Sequence, residues 1–186
     1  MTLENRRNEG FFYLALFILC IPAANWMIGN VGTFCAPNGP CMIPVAPNID
    51  APSGVVMIGL ALVLRDLVQR RLGKFWVIGA ILSGSVLSGL VASGALILAS
   101  VAAFLLSELA DFAVYTPLQR NRFITAVIAS SAVGLVLDSI VFLYLAFGSL
   151  EYVWGQIIGK TWMVLFSIPV IWKLRQRDKS QGVLPI

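Results

Sequence analysis

The sequence predicts an all-α integral membrane protein, a six-transmembrane-helix bundle with both termini cytoplasmic. Three observations carry this prediction. Of 186 residues, 59% are apolar and 12% charged, whereas soluble domains carry about 25% charged residues. The apolar residues collect in six runs, each close to the ~20 residues that cross a bilayer as a helix. Lys and Arg fall in alternate connections between those runs.

The composition also excludes. The net charge is +4, but the basic residues form short clusters between apolar runs, so no basic stripe for nucleic acid is present. Histidine is absent, which removes His-ligated metals, His bases and Ser–His or Cys–His nucleophile pairs. Cys20, Cys35 and Cys41 make no zinc cluster, and neither Gly-x-Ser-x-Gly nor His-Glu-x-x-His occurs. We expect no enzyme, no metal and no cofactor.

Residues 1–10 are expected to be a cytoplasmic N-terminus, 11–172 the membrane domain and 173–186 a cytoplasmic basic tail. The first span, 11–29, follows Arg6 and Arg7 as a signal peptide would. It lacks a clear small-residue cleavage site and more spans follow, so it reads as a retained helix. Residues 30–52 are rich in Pro, Gly and Asn and read as an irregular outer loop. Within it, Cys35 and Cys41 either close a small disulfide or remain free thiols.

The second span, 53–72, has an unbroken apolar part only to Leu64, after which "RDLVQRRLGK" follows. The third and fourth, 75–93 and 95–117, are separated by so little that they form a tight hairpin. The fifth is 123–147 and the sixth 155–172. Arg6 and Arg7, then Arg70, Arg71 and Lys74, then Arg120 and Arg122, and finally Lys173, Arg175, Arg177 and Lys179 mark one side. The connections 30–52, 93–94 and 148–154 contain no Lys or Arg. The marked side is therefore expected to be the cytoplasm, and a bacterial-type inner membrane is the expected location.

Small residues recur at four-residue spacing at Gly79/Ser83, Gly84/Ser88, Ser85/Gly89/Ser93 and Gly155/Gly159. Close helix packing is the main reading of these faces, and a homo-oligomer the lesser one. Trp26, Trp154, Trp76 and Trp172 fall near the ends of spans, as interfacial aromatics do. Trp162 instead lies inside the sixth.

Charges inside spans cost at least about 2.5 kcal/mol at the bilayer centre and usually face a partner or a water-filled cavity. Here they are Arg65, Asp66, Glu108, Asp111, Asp138 and Lys160, joined by Asn25 and Gln156. At 1.5 Å rise per residue, Asp138 lies about 15 Å and Lys160 about 10 Å below the outer surface. Arg65 and Glu108 lie about 20 Å down and Asp111 about 25 Å. The charges thus sort into an outer layer (Asp138, Gln156, Lys160) and an inner one (Arg65, Asp66, Glu108, Asp111, with Tyr115 one turn further). An aspartyl enzyme would need its two acids on facing helices at one depth, but Glu108 and Asp111 share a helix. A solute path fits better.

"GLALVLRDLVQRRLGK" (59–74) and "SELADFAVYTPLQR" (107–120) resemble the signature segments of the queuosine precursor transporter family, also called the vitamin uptake transporter family. "GLVLDSIVFLYLAFGSLE" (134–151) and "GQIIGKTWM" (155–163) resemble its later spans. The resemblance covers about 50–172. It implies six helices, a fold similar to the substrate-binding components of energy-coupling-factor transporters, and uptake of a 7-deazaguanine such as 7-cyano-7-deazaguanine. The residues suit such a nucleobase-like substrate independently. A guanine-like edge offers adjacent N–H donors, for which a carboxylate is a natural acceptor. Glu108, Asp111 and Asp138 are the candidate acceptors, and Lys160 holds a carboxylate charged or meets the substrate. Gln156 or Asn25 would serve the carbonyl side, and Trp162 or Phe34 would stack on the ring. Arg65 and Asp66 read either as an ion pair that opens and closes as a gate or as a pair fixing helix register. Two other functions stay open, the binding subunit of an ATP-driven importer and a non-transport assembly protein.

Overall fold

The computed structural model describes residues 3–35, 39–92 and 94–183. Six α-helices dominate the described residues: α1 (Leu3–Asn30), α2 (Val55–Leu72), α3 (Lys74–Val91), α4 (Ile97–Leu118), α5 (Phe123–Phe147) and α6 (Val153–Ser180). Five of them, all but α2, are long and apolar enough to cross a membrane. Their outward faces carry Leu82, Val86, Leu90, Leu98 and Phe166, all exposed, a surface suited to lipid rather than water.

The segment counted from sequence as the second span is a helix of 18 residues, but Arg65, Asp66, Arg70 and Arg71 set it apart from the other five. Its place in the bundle explains how it tolerates them. α2 packs against every other helix, and each residue from Ala61 to Arg71 is buried. A helix buried on all sides is a central element, so its charges meet protein and not lipid.

The connection expected to be irregular is instead a small antiparallel sheet, β1 (Phe34–Cys35), β2 (Cys41–Ala46) and β3 (Ile49–Pro52), in that order. Asn48 takes a positive φ of 59° in the β2–β3 turn, a conformation Asn tolerates better than most residues. The β1–β2 register sets Cys35 opposite Cys41, and the two form a disulfide. The sheet lies back on α6. Gly155 there faces the Asp50 carbonyl, and Gly159 faces Val45 and Val55, with no room for a Cβ at either. The small-residue spacing on α6 thus seats a sheet edge and α2. On α3, by contrast, Gly84 receives Phe104 of α4 and Ile21 of α1. Ser93 lies outside the described residues.

The Arg-rich end of the bundle is tied shut. Arg71 donates to Glu9 Oε2 at 3.0 Å, and Arg177 donates to the same atom at 2.6 Å. Asp178 accepts from Arg70 at 2.8 Å and from Arg71 at 2.8 and 3.1 Å. The ends of α1, α2 and α6 on this side of the bundle are thereby joined. At 28 residues, α6 is about 42 Å long, so its last turns extend past a ~30 Å hydrocarbon core. Burial alone would push the Asp178 carboxyl up. The hydrogen bonds from Arg71 and Arg70 outweigh it and hold the group below its ordinary value.

Candidate functional site

Two polar centres lie inside the bundle. The outer one begins with a close approach. A Cβ on Gly59 of α2 would stand 2.6 Å from the Lys160 carbonyl oxygen and 2.9 Å from its Cα, so only glycine lets α2 and α6 meet there. The fully buried Lys160 ammonium donates to Asp138 Oδ2 at 2.6 Å, Gln156 Oε1 at 2.6 Å and Ser139 Oγ at 2.8 Å. An ammonium has three donors, and all three are engaged. The second Asp138 oxygen and the Gln156 amide nitrogen make no hydrogen bond among the described residues. An acceptor and a donor therefore stand side by side, held from behind by one lysine.

They form the floor of a cavity of about 580 Å³, within the 300–1,000 Å³ usual for small-molecule sites. Asn25 of α1 lines it, its amide nitrogen bonded to the Ile21 carbonyl at 3.0 Å and its oxygen left as an acceptor. Ser88 and Ser100 add hydroxyls on the α3 and α4 side, and Phe104, Phe142 and Phe147 supply aromatic wall. Gly29, Pro52, Ala92 and Leu96 reach the rim at the end of the bundle opposite the tied arginines.

The inner centre surrounds Arg65. Its guanidinium meets Asp66 Oδ1 at 3.0 Å and Glu108 Oε2 at 3.2 Å, and it also pairs with Asp111. It donates further to Gln69 Oε1 at 3.2 Å, and Gln69 donates in turn to Thr116 at 2.9 Å. Ser130 of α5 donates to Asp66 Oδ2 at 3.1 Å. The Tyr115 ring lies 5.6 Å from the guanidinium carbon. Arg65, Asp66, Asp111 and Tyr115 are 0% exposed and Glu108 2%. Arg65 and Asp66 are thus two members of a four-residue ion cluster drawn from α2 and α4.

One face of α5 connects the centres. Ser130 touches Asp66, Gly134 lies against Asp111, and Asp138 pairs with Lys160. Spacing of i, i+4 and i+8 puts all three on one stripe, spanning about 12 Å.

The candidate residues read from sequence therefore divide. Asn25, Asp138, Gln156 and Lys160 share the cavity, whereas Glu108 and Asp111 sit around Arg65 and do not line it. Trp162 is outside both centres. Its indole N–H donates to the Val45 carbonyl at 2.9 Å, pinning the sheet to α6, and its ring stacks on Phe166. Phe34 is exposed on β1. The aromatic wall comes instead from residues one turn from the acids, Phe142 four positions after Asp138 and Phe104 four before Glu108. That spacing was the available signal. Ser139, beside Asp138, carries a further bond to Lys160 that no spacing announced.

No curated protein and no solved structure matches the chain. Residues 89–174, from the end of α3 to the later turns of α6, match the family described as "Putative vitamin uptake transporter"; the segments at 107–120, 134–151 and 155–163 quoted above fall within this match, and 59–74 lies outside it.

Proposed function

We propose that the chain is a transporter that imports a queuosine precursor, a 7-deazaguanine such as 7-cyano-7-deazaguanine, across the inner membrane. In this reading α2 is the sixth crossing and both termini are cytoplasmic, which the Lys and Arg positions support. The observation that carries it is the cavity floor of Asp138, Gln156 and Lys160 in a membrane bundle whose later half matches a transporter family. A guanine-type edge presents N–H donors beside a carbonyl. Asp138 accepts from the donors and the Gln156 amide donates to the carbonyl. Lys160 keeps both aligned, so little ordering remains to be done on binding. The phenylalanines of the wall bury the ring faces. Midway depth and access from one side only suit a site of alternating access.

Isothermal titration of the purified protein with 7-cyano-7-deazaguanine tests this. Wild type is expected to bind. Asp138→Asn is expected to lose affinity at least tenfold while still folding, because the amide can accept from only one side. In cells unable to make the precursor, the same variant should fail to restore queuosine in transfer RNA from added precursor. Wild-type protein that binds no 7-deazaguanine would remove the substrate assignment.

A further inference from the structure

We propose that the Arg65 cluster is a proton-binding site and that the proton it takes up is the ion coupled to uptake through the outer cavity. This rests on the transport reading above. Three carboxyls, those of Asp66, Glu108 and Asp111, share the single guanidinium of Arg65. Fully ionised, the group carries excess negative charge in a place closed to water, and buried charge without compensation is strongly disfavoured.

The neighbours on α2, α4, α5 and α6 do not supply the missing charge, and on α1 Glu9 is itself acidic and held by Arg71 and Arg177. On α2, Arg70 is held by Asp178 at 2.8 Å. On α6, Lys160 is held by Asp138. α5 contributes only hydroxyls, with Ser130 already donating to Asp66, and α4 adds Tyr115. Among the described residues no three acids, cysteines or histidines are placed to hold a metal ion. A proton supplies the missing countercharge without needing a ligand set of its own.

A second observation points the same way. Asp111 Oδ2 and the Tyr115 hydroxyl are buried without a hydrogen-bond partner among the described residues, while Asp111 Oδ1 meets the Arg65 guanidinium. Buried polar atoms are rarely left so. A proton bound to a carboxyl oxygen converts one bare acceptor into a donor facing the others. The proton comes from the outer solution by way of the cavity and bonds to a carboxyl oxygen of the cluster. It leaves that oxygen for the cytoplasm when the Arg-rich end opens.

The α5 stripe supplies the link to substrate. Asp138, which faces the cavity, lies two turns from Ser130, which holds Asp66. Between them Gly134 leaves only 3.2 Å from an ideal Cβ position to Asp111 Oδ2. Substrate that draws on Asp138 shifts a helix already seated against the protonated acids.

The test uses full-length protein in proteoliposomes with labelled 7-cyano-7-deazaguanine. An acid-outside gradient is expected to raise accumulation several-fold over no gradient, a protonophore to abolish the rise, and added substrate to acidify the lumen as read by a trapped dye. Glu108→Gln and Asp111→Asn should still exchange external for internal substrate but lose gradient-driven accumulation. If one variant fails to insert, the other decides, and the lumen signal of the wild type needs neither. Wild type that exchanges substrate yet accumulates it equally without a pH gradient, or only with a sodium gradient, overturns the proton site and leaves transport standing. Wild type that neither binds nor exchanges sinks the transport reading and this proposal with it.

Discussion

Lys160 has every donor engaged and almost no exposure, so its removal is felt twice. Lys160→Met leaves Asp138 charged and unpaired, which should destabilise the protein by about 3 kcal/mol. Adding Asp138→Asn should recover part of that loss, a coupling that a double-mutant cycle of denaturation midpoints reads directly. Gln156→Leu keeps the Asp138–Lys160 pair but deletes the free amide donor. Its expected signature is ligand affinity lower by roughly tenfold, the ~1.4 kcal/mol of a lost hydrogen bond, together with a lower melting temperature, because the Lys160 donor that Gln156 Oε1 accepts is left unpaired. Depth counting along two helices sufficed to place Asp138, Gln156 and Lys160 in one layer, because each rise of 1.5 Å is fixed by helix geometry. Which face each residue occupies was not legible in the same way. Glu108 was grouped with the substrate acceptors, but its oxygen is turned to Arg65, a choice made by the packing of α4 against α2.

At the level of elements, glycines separate crowded faces from open ones. Gly59→Ala puts a methyl into the Lys160 backbone, where neither atom can yield without α2 and α6 moving apart. A loss of about 1–3 kcal/mol is expected, with weakened ligand binding because Lys160 moves. Gly79 has no atom within 4 Å of an added Cβ, so Gly79→Ala should leave the melting temperature unchanged or slightly raised through better helix propensity. Thermal melts of the two variants side by side check the contrast. Of the two, only Gly79 falls in a four-residue small-residue spacing in the sequence, and that spacing reports a small face and not what meets it. The helices themselves were readable from apolar run length. The sheet was not. Pro44, Pro47 and Pro52 break any strand pattern, and the pairing exists because α6 offers Gly155, Gly159 and the Trp162 N–H as a seat.

For the whole molecule, the cavity reaches one end of the bundle while ion pairs close the other. Passage of a solute requires that closure to break, and Asp178 is its centre, bonded to two arginines of α2. Asp178→Asn should cost about 2 kcal/mol at neutral pH, the scale of hydrogen bonds to a charged group. The dependence on pH has a definite sign. The folded carboxyl titrates below its ordinary value, so its stabilisation is fully present above the unfolded Asp value of about 3.9. It is lost as pH falls through the folded one. The gap in melting temperature between wild type and Asp178→Asn should therefore be constant from pH 5 to 7 and narrow below pH ~4, where the wild-type group also becomes neutral. A gap that widened on acidification would place the stabilising charge elsewhere. The same variant loosens the joint between α2 and α6, the pair that also carries Gly59 and Lys160. If that joint is the closure, a cysteine substituted at the buried Gln69 should react faster with a thiol reagent supplied from the Arg-rich side when Asp178→Asn is present. The native free cysteine, Cys20, is buried in α1, so replacing it with serine in both backgrounds keeps the reading clean.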